Sequence, residues 1–358
     1  MATLFVQVYI EKGKIFANRK IPIKPTFDIK KLILTRVNDL PDSFFESEIS
    51  DNWKLKDFVY KEYKENEQFI YVRNNVYNER NQLALAKKII NKGTLKNNRT
   101  GIDTVSLFAE SITFDISETI PVLTTRRIAW KTAITEMLFF LSGKSDTLEL
   151  EKQNIKIWQG NTSREFLDSV GLKDIPVGQL NFGYGHQIRH FGGKSNCQGG
   201  HDQLKYITDL IENDPNSRRI LWNLWNLGDL NVQTLPACHL MFQIYISENE
   251  ISGHLTMRSQ DYALANNFNT INYTVFIYIL ALKYGYTPGK LTITMTDCHI
   301  YKNHIEQTNI QLNRSIKSSP KLILNPDIKN KDWSEITIDD FSLVGYFPHP
   351  SIKMDMAI

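Results

Sequence analysis

The sequence predicts a mixed α and β domain, α+β or α/β, with a small appendage at its N-terminus. Three observations lead there. Short alternating or β-branched segments interleave with long helical segments that are largely apolar. A polar stretch, RNNVYNERNQ at residues 73–82, divides the opening segment from the rest. At 358 residues the chain can hold one large domain plus an appendage, or two ordinary domains.

Residues 1–76 are expected to form the appendage, with residues 77–358 as the main domain. The opening reads as a hairpin: Leu4, Val6, Val8 and Ile10 share one face, a Lys-Gly-Lys turn follows at residues 12–14, and Ile15 begins a second strand. A helix is expected over residues 27–38; residues 42–71 are acidic and aromatic and fit no element. Beyond the polar break, residues 82–92 form an amphipathic helix stopped by Gly93, and residues 105–116 alternate as a strand. Residues 128–141 are apolar over most of a helix circumference, predicting a largely buried helix, and residues 201–213 an amphipathic one ending before Pro215. Strands are expected at residues 219–225, 239–246, 251–257 and 291–295. Residues 269–284 are the most apolar stretch, but Asn269, Asn272 and Lys283 interrupt it, which favours a buried core helix over a membrane span. A last helix is expected over residues 299–314.

Composition narrows the function classes. Hydrophobic residues make up 42% and charged residues 23%, as in ordinary globular proteins and unlike disordered ones. The net charge of +3 marks no extended nucleic-acid track, and no nucleic-acid partner is expected. Cys197, Cys238 and Cys298 are widely separated without a C-x-x-C pair, which argues against a zinc site or a disulfide framework. The N-terminus lacks the basic start of a signal peptide, and no apolar run reaches the roughly 18–20 residues of a membrane span. A soluble protein of a reducing, cytoplasmic compartment without membrane contact is the expectation.

Several residues can carry chemistry. Cys238, in Leu-Pro-Ala-Cys-His at the start of a predicted strand, is either an inert core thiol or, beside His239 and nearby arginines, a reactive one. Arg218 and Arg219 are adjacent, and neighbours in a strand point to opposite faces; with Arg99 and Arg258-Ser259 they form either surface salt bridges or a set of planar forks for a phosphate. Glu136 interrupts an apolar helix, so it sits at an exposed edge or is buried and functional. Tyr184 lies in Phe-Gly-Tyr-Gly, whose glycines allow close backbone approach to a ligand.

Read in order, these residues resemble the thymidylate synthase family. The resemblance runs from about Asn78 to Ile358 through Asn-Arg-Thr-Gly (98–101), Pro-Val-Leu-Thr-Thr-Arg-Arg (121–127), Ile-Trp (157–158), Arg-Arg (218–219), Pro-Ala-Cys-His (236–239), Arg-Ser-Gln-Asp (258–261), Phe-Asn (268–269), His-Ile-Tyr (299–301) and Gly-Tyr-Phe-Pro-His-Pro (345–350). It implies an α+β fold whose mixed β-sheet forms a homodimer interface, and reductive methylation of dUMP with 5,10-methylenetetrahydrofolate as co-substrate and no metal. By this resemblance Cys238 is the nucleophile that adds to carbon 6 of the pyrimidine. Glu136, Tyr184 and His239 supply the acid/base network. Arg99, Arg258 and Ser259 hold the phosphate, with Arg218 and Arg219 donated across the dimer, while Asn269 reads the pyrimidine edge and His299 and Tyr301 the sugar. Asp261 meets the pterin, Ile157, Trp158, Asn161, Leu264 and Phe268 surround the folate, and the C-terminal segment with Ala357 closes over it.

The chain departs from the family pattern near both ligand sites. Leu-Gly-Pro-Val-Tyr-Gly-x-Gln-Trp-Arg is usual where this chain reads Leu180-Asn181-Phe182-Gly183-Tyr184-Gly185-His186-Gln187-Ile188-Arg189. Met257 replaces a usual glutamine, and residues 265–267 read Ala-Asn-Asn. Two rivals follow. A dUMP or dCMP hydroxymethylase shares nucleophile and folate, but Asn269 favours uracil and Trp158 favours hydride transfer. A weakly catalytic homologue kept for binding a nucleotide or a partner has no need of the thiol. The appendage matches nothing in the simplest members and is too short for a fused reductase domain.

Overall fold

The computed structural model describes residues 76–194 and 198–356 and, ahead of them, five strands. These strands are β1 (Thr3–Glu11), β2 (Lys14–Ala17), β3 (Lys31–Arg36), β4 (Glu62–Tyr63) and β5 (Gln68–Val72), in the order β2-β1-β3-β5-β4. The expected hairpin is present, with Glu11 opposite Lys14 in an antiparallel pair. The expected helix over residues 27–38 is not: residues 31–36, KLILTR, form a strand parallel to β1. Pairing on both sides, with β1 and β5, decides the conformation of this run, as tertiary context does for strand propensity generally.

Next come α1 (Val76–Lys92), β6 (Thr94–Lys96), β7 (Thr104–Asp115), α2 (Trp130–Leu141), α3 (Leu148–Glu151), α4 (Arg164–Ser169), α5 (Tyr184–Arg189) and α6 (Gln203–Asn213). After them follow β8 (Leu221–Asn223), β9 (His239–Ser247), β10 (Glu250–Asp261), α7 (Asn266–Tyr284), β11 (Thr287–Tyr301), α8 (Ile305–Leu312), β12 (Lys321–Leu324) and β13 (Phe341–Val344). Helix α1 begins inside the polar stretch taken as a break. Asn78, Glu79 and Gln82 face inward, and buried Glu79 accepts the backbone N–H of Thr124 and of Thr125 and both hydroxyls at 2.7–2.9 Å.

The six-stranded sheet runs β6-β7-β11-β10-β9-β8 and is mixed, since β10 and β11 are parallel and their other neighbours antiparallel. A parallel pair needs a crossover, and α7 supplies it. One face of the sheet carries Ile112, Phe114, Phe242, Ile244, Leu255, Met257, Leu291, Ile293 and Met295 into the core. Helix α7 packs there, buried almost all round as its composition predicts. Gly253 is required by that packing, because a Cβ would run into the Phe242 ring. The opposite face is a hydroxyl ladder, with Ser111 on Thr294 at 3.3 Å, Thr113 on Thr292 at 2.9 Å and His254 on Thr294 at 2.9 Å. Beside it Tyr245 is 69% exposed. No described helix is long and apolar enough to cross a membrane.

Register gathers one end of this sheet into a single place. Asp261 lies opposite His299, Ser259 opposite Asp297 and Met257 opposite His239, while β7 sets Thr104 beside Tyr301. β11 thus extends to Tyr301, and helix begins only at Ile305 after a short 3-10 turn. His299 and Tyr301 therefore stand on the end of a strand, not on the helix expected over residues 299–314. Pairing with β7 as far as Tyr301, and with β10 as far as His299, holds them there.

Candidate active site

Cys238 precedes β9 and is half-buried at the sheet end, not sealed in the core. Arg258, from β10, wraps its loop: Nε donates to Ala237 O at 2.9 Å, Nη2 to Pro236 O at 2.8 Å, and Nη2 lies 3.6 Å from the thiol sulfur. The guanidinium also lies over the Trp225 ring at 5.6 Å. The thiol sulfur and the guanidinium thus share one end of the sheet.

Tyr184 opens α5, and its hydroxyl accepts the Cys238 backbone N–H at 2.9 Å. Burial raises its pKa well above the ordinary phenol value, so it stays protonated and keeps a hydrogen to donate. The flanking glycines pack chain against chain instead of bordering open space. A Cβ on Gly183 would meet that of Leu180 at 2.8 Å, and one on Gly185 would strike the Lys144 carbonyl. Ahead of them, Asn181 and Phe182 both adopt left-handed backbone, at φ +29° and +56°, a strain of about 1–3 kcal/mol for such a residue when neighbours must hold it.

Buried His239 shares Nε2 with Asn269 Oδ1 at 3.0 Å and Nδ1 with the Tyr273 hydroxyl at 3.2 Å. Burial pulls its pKa down to about 4 against the Asn269 bond, so the ring is neutral near pH 7. Asn269 Nδ2 in turn donates to Gln260 Oε1 at 2.9 Å, which fixes which way the amide points.

Glu136 is buried, which excludes the exposed-edge reading. Its oxygens accept Trp158 Nε1 at 2.9 Å and Asn272 Nδ2 at 3.0 Å. Burial lifts its pKa to about 7, with those two N–H bonds pulling it down. A carboxyl poised there can both take and give a proton near neutrality. Rings link it to the thiol: Trp158 lies 6.0 Å from Tyr184, and Tyr184 lies 4.8 Å from His239.

His299 Nδ1 lies 3.2 Å from Asp297 Oδ1, which also accepts Ser106 Oγ at 2.7 Å. The His299 ring is the main cause holding the Asp297 carboxyl well below its usual range. Tyr301 stacks edge-on to His299 at 5.2 Å. Asp261 accepts the Leu264 N–H at 3.0 Å, and burial raises its pKa. Ile157, Trp158, Leu264 and Phe268 are half-buried and leave apolar surface accessible, while Asn161 is buried. Ser259 is half-buried on β10. Ala357 and Cys197 lie outside the described residues. Among the described residues no cluster of three His, Cys, Asp or Glu side chains can hold a metal.

The phosphate candidates divide. Arg99 is exposed on a turn braced by Asn98, whose Oδ1 accepts the Thr100 N–H at 2.9 Å and hydroxyl at 2.7 Å. Arg218 and Arg219 are exposed ahead of β8. Leu221 pairs with Gln243 in an antiparallel register, which sets Arg219 abreast of Tyr245, roughly 20 Å along β9 from His239 at 3.4 Å per residue. The chain therefore does not bring this pair to its own thiol.

Sequence reasoning missed several partners. Asn272 and Tyr273 fix Glu136 and His239, Gln260 fixes Asn269, and Trp225 supports Arg258. The available signal was a polar residue, Asn272, three positions after Asn269 in an apolar helix. Arg126, in the 121–127 segment, is buried, donates to Ala263 O and lies 3.4 Å from the Met354 sulfur, and burial lowers its pKa to about 10.

Comparison with known proteins agrees with this geometry. The model of the family described as thymidylate synthase matches residues 80–358. The thymidylate synthase of human herpesvirus 8 (type P, isolate GK18) is 41% identical over 288 residues, 79% of this chain and 85% of that protein. The human thymidylate synthase is 38% identical over 288 residues, 79% of this chain and 91% of its own. A bifunctional dihydrofolate reductase-thymidylate synthase of Paramecium tetraurelia is 33% identical over 353 residues, 97% of this chain and 72% of that one. The match with the Arabidopsis thaliana bifunctional protein 2 covers half of that relative's length. With more than half of its length matched by that model and a thiol, an arginine and a buried carboxyl converging at one sheet end, the chain belongs to the thymidylate synthase family.

Proposed function

We propose that the protein catalyses reductive methylation of dUMP to dTMP, with Cys238 adding through its sulfur to carbon 6 of the pyrimidine. The observation that carries this reading is the joining of thiol, Arg258, Tyr184, Trp158 and Glu136 in one contact network. Carbon 5 of uracil is a weak nucleophile; sulfur addition at carbon 6 makes it an enolate. His239, neutral, holds Asn269 so that its amide can donate to O4 and accept from N3–H. Arg258, Ser259 and Arg99 take the phosphate, and His299, oriented by Asp297, takes the sugar with Tyr301.

Methylenetetrahydrofolate supplies the one-carbon unit and the hydride. Trp158, Leu264 and Phe268, all half-buried, would hold its ring beside Asp261. This chain's contribution is to orient, to exclude water with Trp158 and the C-terminal segment, and to move protons through Glu136. Two copies assemble through the hydroxyl-ladder face of the sheet, where Arg218 and Arg219 serve the partner's phosphate site; their distance from their own thiol supports this. Residues 1–76 precede the family match, which starts at residue 80. The Paramecium alignment nevertheless reaches into them, which supports descent from a chain fused to a reductase.

Incubation with dUMP or dCMP and methylenetetrahydrofolate, followed by mass spectrometry of nucleotide and folate, tests the reading. Equal amounts of dTMP and dihydrofolate are expected. Hydroxymethyl-dUMP with tetrahydrofolate, or turnover of dCMP alone, overturns it.

A further inference from the structure

The two left-handed residues ahead of Tyr184 are held by amides. Asparagine tolerates this backbone region, but phenylalanine seldom adopts it unless neighbours impose it. Asn181 Nδ2 donates to Val232 O at 2.6 Å, and the Phe182 carbonyl accepts both Gln187 Nε2 at 3.0 Å and Gln233 Nε2 at 3.1 Å. Gln187 Nε2 also reaches Asp229 Oδ2 at 2.7 Å, and Thr234 Oγ1 donates to Gln179 O at 3.0 Å. Asn181, Gln187, Gln233 and Thr234 are all buried, where an unmade hydrogen bond is expensive.

Four of these five bonds fasten residues 179–187 to residues 229–234. The first segment contains Tyr184 and the second leads directly into Cys238, the two groups joined by the bond from the Cys238 N–H to the Tyr184 hydroxyl. Asn181 stands where the family usually has Gly, so its side-chain bond to Val232 O belongs to this chain's departures. We propose that Asn181 and Gln233 are positioning residues for Cys238: their amide strap between the two loops holds the thiol against Arg258 and sets its reactivity. The proposal rests on Cys238 being the nucleophile.

Two variants undo the strap differently. Gln233→Met keeps the side chain's length and removes the donor to Phe182. Asn181→Gly removes the donor to Val232 and relaxes the left-handed backbone. Alkylation of Cys238 by iodoacetamide, followed on the Cys238 peptide by mass spectrometry, reports on the thiol, and kcat and KM for dUMP report on the reaction. In Gln233→Met, alkylation and kcat are expected to fall about tenfold, as for a nucleophile displaced by under an ångström, with KM within about twofold. Asn181→Gly should show the same pattern more weakly, and the double variant should fall short of the product of the two effects, because both undo one strap. Alkylation and kcat at wild-type rates in both single variants, whatever their thermal midpoints, overturn the proposal. Wild-type enzyme that stays active with Cys238 fully alkylated overturns instead the nucleophile assignment beneath it.

Discussion

Replacing Glu136 by glutamine should make the protein's stability less sensitive to a rise in pH from about 4.5 to 7. The carboxyl is 8% exposed, and burial raises its pKa from an ordinary 4.5 to about 7. Between those values the folded chain holds a proton that the unfolded chain has released, so stability is full below about 4.5 and declines as pH rises through 7. At 1.36 kcal/mol per pH unit, complete ionisation costs roughly 3 kcal/mol, most of it lost between pH 5 and about pH 7. Glutamine does not ionise. It can accept from only one of Trp158 and Asn272 without turning its own N–H₂ toward the other, a penalty of about 1–3 kcal/mol that is the same at both pH values. Urea unfolding of both proteins at pH 5 and 8.5, at one protein concentration, isolates the difference. Wild type should lose roughly 2–3 kcal/mol relative to Glu136→Gln over that interval. A gap between the two proteins that is constant with pH, or that changes in the opposite sense, refutes the assignment of a raised pKa to Glu136. In activity, the wild-type kcat profile should show an acid limb near pH 7 that Glu136→Gln lacks.

Asn269→Asp should shift turnover from dUMP toward dCMP, because a protonated or water-bridged carboxyl complements the cytosine edge; an unchanged ratio of the two rates removes Asn269 from specificity. Mixing Arg219→Ala with Cys238→Ala chains should restore activity, since each mixed dimer has one site with both thiol and donated arginine; verified heterodimers without activity contradict donation across the interface. Trp158→Gly should raise the hydroxymethyl fraction of product by admitting water and by removing the N–H bond to Glu136. Product composition identical to wild type would remove Trp158 from that role.

The sequence was most legible where one periodicity dominated. α2, α6 and α7 follow their apolar patterns, and β7 its alternation. It was least legible where pairing partners decide conformation. Residues 31–36 form a strand because β1 and β5 flank them, and β11 runs on to Tyr301 because β7 pairs with it that far and β10 as far as His299. Cys238 and Glu136 were recognisable as misfits in their surroundings. Asn272 and Gln260 act through bonds to residues 136 and nine positions away respectively, and a polar residue in an apolar helix does not by itself name such a partner. The strain at Asn181 and Phe182 was visible only as a departure from the family pattern, not as a strap, because its partners come from another loop.

The covalent step is tested most directly by intact-protein mass spectrometry after incubation with methylenetetrahydrofolate and 5-fluoro-dUMP, whose fluorine cannot leave carbon 5 as a cation and so stalls the adduct. Wild type should carry one nucleotide and one folate, mapped to the Cys238 peptide, and Cys238→Ala should carry none while still binding dUMP. A denaturation-stable adduct on another residue, or no adduct on protein that makes dTMP, would contradict nucleophilic catalysis by Cys238.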